Sequence, residues 1–172
     1  QKLIRQLTGN SKNSTMSESY KLVFWSKRLI NDLIKIGLTT RKSLTMSFPY
    51  VPHKYVWHFI RGCWDGDGTL YIQKQPKWGA EYLYSTYISG SKVFVEKLVE
   101  ILKRELAIEN INIRNAKGAY EIGFATKNTL RLCHHFYNGV SPDIYLKRKF
   151  DIYNNFLEKR KLNKDSRIGI KN

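Results

Sequence analysis

The stretch IRGCWDGDG at residues 60–68 ends an apolar run with two aspartates set among glycines. Gly62 and Gly66 are four residues apart, so on a helix they lie on one face and allow a second backbone to approach closely. Asp65 and Asp67 then fall at the carboxyl end of that helix, where the macrodipole disfavours negative charge. A local conflict of this kind is typical of a functional site, although an ordinary surface turn is the alternative.

The chain carries a large excess of basic residues. Thirty lysines and arginines stand against fourteen acidic residues among 172, which gives a formal net charge of +16. This surplus favours a polyanionic partner, because binding phosphates releases their counterions. Together with the 13% aromatic content it indicates nucleic acid. A basic ribosomal or structural protein has a similar composition and remains an alternative.

Several other classes of protein are not supported by the sequence. No window reaches the ~18 apolar residues of a membrane span, and no segment combines a basic face with a broad apolar one. Cys63 and Cys133 lie in apolar contexts outside any CxxC pair, which is typical of reduced thiols. The DGDG stretch is not an EF-hand, because the required glutamate position is occupied by Pro76. We therefore expect an intracellular protein with no membrane partner.

The hydrophobic pattern predicts helices alternating with pairs of strands. Pro52 can open the helix that carries the motif, since its missing N–H is not needed there. The elements expected from there on cover 52–64, 69–75, 82–89, 92–107, 110–115, 119–125 and 128–137, with a basic helix at 145–160. Their order, αββαββα, predicts an α+β domain whose antiparallel four-stranded sheet is covered by helices on one face. The other face is left free for a partner.

A repeat is visible between residues 19–27 and 119–127. SYKLVFWSK and AYEIGFATK share the tyrosine, the phenylalanine and the final lysine, and KLIRQL at 2–7 resembles KLVEIL at 97–102. We therefore expect a duplication. Residues 1–51 would be the back half of an N-terminal repeat (a helix over KLIRQL, strand, helix and linker), 52–162 a complete repeat, and 163–172 a polar tail. The counterpart of the motif helix would then precede residue 1.

The segment HFIRGCWDGDGTLYI at 58–72 resembles the LAGLIDADG motif of homing endonucleases, and the order of the elements after it is similar to theirs. Arg61 departs from the pattern at a position where a small residue is common. The resemblance covers nearly the whole chain and implies the LAGLIDADG fold, with its sheet forming a saddle over DNA. Two motif helices pack through their glycines in that family, which implies a helix interface at Gly62, Gly66 and Asp65.

The same resemblance implies metal-dependent hydrolysis of a phosphodiester. The last aspartate of each motif binds divalent metal in the family, so Asp67 is the expected ligand of Mg²⁺ or Mn²⁺, with the Gly66 carbonyl as a second candidate. Mg²⁺ prefers anionic oxygen, and paired metals can stabilise both the attacking and the leaving oxygen. The family also has a lysine at the end of the fourth strand, near the metal site. Lys127 matches that place and Lys27 is its repeat partner, so the resemblance implies a catalytic role for both. A solvated surface cation is the alternative for each lysine.

The open face of the predicted sheet is expected to contact DNA. Alternation along the first strand turns Leu70 and Ile72 towards the helices and every second side chain outwards. Glutamine and basic side chains can read base edges or contact phosphates. The candidate DNA-binding residues are Thr69, Tyr71, Gln73, Lys74, Gln75, Lys77, Trp78, Arg114 and Lys117. The basic clusters at 147–149 and 159–161 fit phosphate contact and a solvated helix face equally well.

Together these features predict a sequence-specific endonuclease that cuts double-stranded DNA in intron homing. The alternative is a non-cleaving relative, either a maturase that holds intron RNA or a DNA-binding regulator. Asp67 favours the nuclease, because a binder need not keep an acidic residue there. Cleavage of both strands requires two acidic sites. A second half is therefore expected from a preceding segment, from another polypeptide or from a second copy in a homodimer.

Overall fold

The computed structural model describes residues 2–8, 17–23, 25–38, 43–75 and 79–167, with side chains at 23, 25–38, 43–75 and 79–161. The chain forms two compact units, Gln1–Thr39 and Thr40–Asn172. The predicted boundary between repeats at 51/52 stays a prediction. Met46 and Phe48, which belong to the predicted linker, pack against the core of the second unit.

The first unit is a strand pair followed by a helix. β1 (Lys2–Thr8) pairs antiparallel with β2 (Ser17–Val23), and α1 covers Lys27–Lys35. The predicted helix over KLIRQL is wrong, because a run this short does not establish a helical period and its backbone pairs with β2 instead. The strand-then-helix order of β2 and α1 recurs later in the chain, in agreement with the repeat at 19–27 and 119–127. The assignment of 1–51 to half a repeat stays a prediction.

The second unit has the predicted order of helices and strands. After a 3-10 turn at His53–Tyr55, its elements are α2 (Val56–Asp67), β3 (Gly68–Lys74), β4 (Glu81–Ser89), α3 (Lys92–Leu106), β5 (Arg114–Ala116), β6 (Ala119–Phe124), α4 (Thr126–Tyr137) and, after a 3-10 turn at Pro142–Ile144, α5 (Lys147–Arg167). The four strands of this unit form an antiparallel sheet in the order β3-β4-β6-β5. The α+β class and the αββαββα order are confirmed.

Local signals explain where these elements end. The Ser91 hydroxyl accepts a hydrogen bond from the N–H of Phe94 and caps α3. Lys117 and Gly118 both have positive φ and make the turn between β5 and β6, as predicted. The predicted polar tail is helical as far as Arg167, because no glycine or proline interrupts 147–167. Residues 168–172 lie outside the described part of the chain.

The helices cover one face of the sheet and bury the core against it. Leu70, Leu83 and Ile122, from three different strands, share one buried core with Phe94 and Leu102 of α3. The side chains of β3 alternate between buried and exposed, which confirms the predicted orientation of that strand. No helix in the described ranges is both long and apolar enough to cross a membrane.

Arg61, which departs from the LAGLIDADG pattern, is a buried structural residue. Its guanidinium donates hydrogen bonds to the carbonyls of Ile144 (3.2 Å) and Phe136 (3.3 Å) and lies 3.0 Å from Nδ1 of His58. These contacts join α2 to the end of α4 and to the 3-10 turn that follows it. A small residue at this position could not make them.

Candidate metal and nucleic-acid site

The carboxyl end of α2 is held by a buried lysine from α5. The Lys149 side chain is 2% exposed, and its ammonium donates to the carbonyls of Trp64, of Asp65 (3.2 Å) and of Gly68 (2.6 Å). Burial lowers the pKa of Lys149, and the neighbouring charge of Arg148 lowers it further. The cation therefore offsets the negative end of the α2 macrodipole at the point where the two aspartates follow.

Asp65 is part of the same junction. Its Oδ2 accepts a hydrogen bond from the backbone N–H of Leu146, at 3.1 Å. Leu146 directly precedes α5, where the helix dipole is positive and stabilises a carboxylate. The carboxylate at the end of α2 thus accepts a hydrogen bond that the start of α5 could not otherwise donate within its own helix. Asp65 therefore has a structural role at the junction of the two helices.

Trp64 and Gly68 fix the turn from the motif helix into the sheet. The buried indole N–H of Trp64 donates to the Ser85 hydroxyl at 2.6 Å, and its ring stacks on Tyr87 with centroids 5.0 Å apart. A Cβ added to Gly68 would lie 2.5 Å from Cδ1 and 2.7 Å from the carbonyl oxygen of Trp64. Only glycine therefore allows β3 to start against the last turn of α2.

The substitution Gly68→Ala is expected to lower the free energy of unfolding by about 1–3 kcal/mol, because backbone and a buried ring must move. Gly62→Ala is the matched control. Gly62 is helical, and nothing in the described part of the chain lies within 4 Å of an added Cβ, so alanine should stabilise the helix by about 0.5–1 kcal/mol. Urea unfolding of both variants checks this, and equal stabilities would contradict it.

Asp67 is the last residue of α2 and its side chain is exposed. No hydrogen bond or ion pair to this carboxylate is formed within the described ranges. Burial, with the nearby charge of Asp67, raises the pKa of the Cys63 thiol to about 12, and burial also raises the pKa of the Tyr87 hydroxyl. Both groups stay neutral at physiological pH.

Lys127 lies away from Asp67, and its predicted place beside the metal site is wrong. Gly68 pairs with Tyr87 at one end of the β3–β4 hairpin, whereas Lys74 pairs with Glu81 at the other end, roughly 20 Å away at the rise of a strand. Lys127 shares a cavity of about 490 Å³ with Glu81 and so lies at this far end. The sequence repeat marked a position along the chain but could not show which end of the sheet it reaches.

Lys27, the repeat partner of Lys127, is an exposed residue at the start of α1 in the first unit. Its predicted catalytic role stays a prediction. The lysine that the structure brings to the motif is Lys149, which in the sequence is one member of the basic cluster at 147–149. Its signal of burial in the sequence is its helical spacing from apolar residues, since Leu146 lies three positions before it and Phe150 directly follows it.

The open face of the sheet includes most of the predicted DNA-contacting residues. Six of them lie there with exposed side chains. They are Thr69, Tyr71 and Gln73 on β3, Gln75 just after it, Arg114 on β5 and Lys117 in the turn that follows. Lys74 points to the opposite face, where it and Lys159 of α5 flank the Glu81 carboxylate at 3.4 and 3.2 Å. Lys74 is therefore not part of the open face. Lys77 and Trp78 lie outside the described residues.

The outer face of α2 is open along its glycines. Gly62 and Gly66 are both exposed, and an added Cβ at either position would meet nothing within 4 Å in the described part of the chain. The surface formed by Gly62 and Gly66 is named here the glycine face, and no described residue covers it.

Searches of protein-family models and of curated proteins found no match to this chain. Among solved structures, the chain is similar to the homing endonuclease I-TnaI, with 14% identity over 62% of this chain and 74% of that one and a TM-score of 0.43. It is also similar to the homing endonuclease I-CvuI, solved in complex with the I-CreI target in the presence of Mg with the DNA not cleaved. That match has 13% identity over 48% of this chain and 55% of that one and a TM-score of 0.38, so the chain spans about half the length of I-CvuI. Sequence identities this low give no information about the activity of this chain.

Proposed function

We propose that this chain is a LAGLIDADG-type homing endonuclease that binds double-stranded DNA on the open sheet face and hydrolyses it with a divalent metal at Asp67. One observation carries the proposal. An exposed carboxylate without a partner in the described ranges directly precedes β3, the first strand of the open face. A duplex bound along that face would bring its phosphates to Asp67, and the net charge of +16 favours such binding.

Mg²⁺ or Mn²⁺ fits the donors of one chain only in part. No three His, Cys, Asp or Glu side chains converge anywhere in the described ranges. Mg²⁺ commonly takes one or two carboxylates and completes its shell with water and substrate phosphate. The Asp67 carboxylate, with the Gly66 carbonyl, would hold the ion, which when bound supplies an activated water and stabilises charge on the phosphate.

The other residues of the junction position Asp67. The Lys149 ammonium neutralises three carbonyls whose negative ends would otherwise repel a phosphate at the end of α2. Asp65 accepts its hydrogen bond from the start of α5. In this role Lys149 and Asp65 are positioning residues, whereas the Asp67 carboxylate and the Gly66 carbonyl would hold the metal.

Hydrolysis of both strands needs a second acidic site, and the glycine face supports pairing with a second motif helix. Glycines one turn apart allow two helix backbones to approach closely. The partner helix in this proposal comes from a segment that precedes residue 1, from another polypeptide or from a second copy of the chain. Two copies would bring two Asp67 carboxylates to the DNA.

The substitution Gly62→Leu is expected to abolish self-association without unfolding the chain, because the added side chain meets open space in one copy and the partner backbone in a pair. Sedimentation velocity at increasing protein concentration measures this. Lys97→Leu, an exposed residue of α3, is the matched control for added apolar surface. A wild-type chain that remains monomeric throughout would contradict pairing between two copies through this face and would leave a preceding segment or a different polypeptide as the source of the partner helix.

Cleavage of a randomised duplex library tests the function. We expect cutting at a limited set of sequences in Mg²⁺ and none in Ca²⁺. The rival function is binding without cleavage, which is favoured by the lack of a complete metal-ligand cluster in the described residues. Duplex binding that falls steeply with salt and is never followed by cutting, in any divalent metal, would establish the rival.

A further inference from the structure

A cavity of about 410 Å³ opens on the uncovered face of the sheet. Tyr71 and Tyr84, which line it, are cross-strand partners on β3 and β4. Their rings are stacked, with centroids 5.6 Å apart and 21° between the planes. On the next strand, β6, the cavity is lined by Gly123 and Phe124, and Ala125 follows the strand. Phe124 is buried in the core, so the row of exposed rings stops at β6.

Gly123 has no side chain, so the backbone of β6 forms the bottom of this cavity. A Cβ added there would lie 3.3 Å from Nη2 of Arg114 and 3.5 Å from the methyl carbon of Thr86. The Arg114 guanidinium thus lies close over the backbone of β6, and it is also 3.4 Å from the Glu121 carboxylate. A positive, planar group is therefore held at the edge of the cavity.

Three asparagines line the same cavity, Asn110 and Asn112 before β5 and Asn128 in the first turn of α4. Their side-chain amides make no hydrogen bond within the described ranges. An amide carries a donor and an acceptor side by side, which matches the edge of a nucleobase, above all adenine. The cavity thus combines an aromatic wall with polar groups that can read a base.

We propose that this cavity binds one unpaired nucleobase of a single-stranded nucleic acid, stacked on the Tyr71–Tyr84 pair and hydrogen-bonded by the asparagines. In a duplex the faces of the bases are hidden in the stack, so a flat aromatic wall can stack only on a base that is unpaired. Exposed rings on a sheet bind unpaired bases of RNA or single-stranded DNA. The inference rests on the open face being the nucleic-acid surface of the proposed function, and it is independent of cleavage.

Fluorescence anisotropy with labelled oligonucleotides tests it at one fixed salt concentration. The ligands are one mixed sequence as single-stranded DNA, as single-stranded RNA and as duplex DNA. Tyr84→Leu removes part of the wall, and Gly123→Val fills the cavity while leaving the tyrosines in place. Tyr50→Leu is the matched control, because Tyr50 is 92% exposed and lies outside the sheet. Thermal melts establish that each variant is folded.

We expect both cavity variants to bind a single strand about tenfold more weakly than the wild type and the control, with a clearly smaller loss for the duplex. The strand that the wild type binds more tightly identifies RNA or DNA as the source of the base. Equal losses on single strand and duplex, or no loss, would overturn the proposal. Wild-type binding of the duplex alone would also overturn it and leave the proposed function intact, whereas binding of single strands alone would support it and remove the proposed function.

Discussion

Replacing Lys149 by methionine is expected to lower the free energy of unfolding by about 2–4 kcal/mol. The substitution removes the donor to the carbonyls of Trp64, Asp65 and Gly68, and an unsatisfied buried carbonyl costs about 1–3 kcal/mol. Part of that loss is offset, because methionine does not carry a desolvated charge into the interior. The net effect stays large, because methionine offers no donor to any of the three carbonyls.

Lys147→Met is the matched control, since Lys147 lies on the same helix with its ammonium exposed and 2.7 Å from Asp151. An exposed pair of this kind contributes about 0.3–0.5 kcal/mol. The urea midpoints of the two variants give the comparison, provided that the slope of the transition is unchanged. If Lys149→Met were as stable as Lys147→Met, the account of the α2–α5 junction would be refuted.

Replacing Asp67 by asparagine is expected to reduce the rate of DNA cleavage by about 100-fold or more, because losing even an outer-shell partner of a metal commonly costs 10–100-fold. Folding should be unaffected, since the carboxylate is exposed and forms no hydrogen bond within the described ranges. Affinity for duplex DNA should stay the same or rise slightly, because a negative charge close to phosphate has been removed. The variant therefore separates cleavage from binding.

The parts of this fold that depend on local signals could be predicted from the sequence. The order of helices and strands follows from periodicity, and the glycines and aspartates of the motif mark the end of α2. The exposed Thr69 and Tyr71 follow from strict alternation along β3. The short segment KLIRQL has no such period, and only its pairing with β2 decides that it is a strand.

The junction around Asp67 depends on contacts between residues distant in sequence, and these could not be predicted. Lys149 reaches the carbonyl of Trp64 across 85 positions, and no local pattern connects the two. Lys127 showed the opposite error. The family resemblance implies a catalytic cation at Lys127, whereas the register of β3 and β4 and the cavity that Lys127 shares with Glu81 leave it at the far end of the hairpin. The conflict between Asp65 and the helix dipole was visible in the sequence, and α5 resolves it in three dimensions.

In the proposed function Asp67 holds the divalent metal with which DNA is hydrolysed. The most direct test of this assignment is the initial rate of cleavage of a selected duplex as Mg²⁺ is titrated, for the wild type, Asp67→Asn and Asp143→Asn, the last being an exposed aspartate outside the site. We predict Mg²⁺-dependent cutting by the wild type and by Asp143→Asn, and almost none by Asp67→Asn although it still binds the duplex. Cutting by Asp67→Asn at the wild-type rate would contradict the assignment.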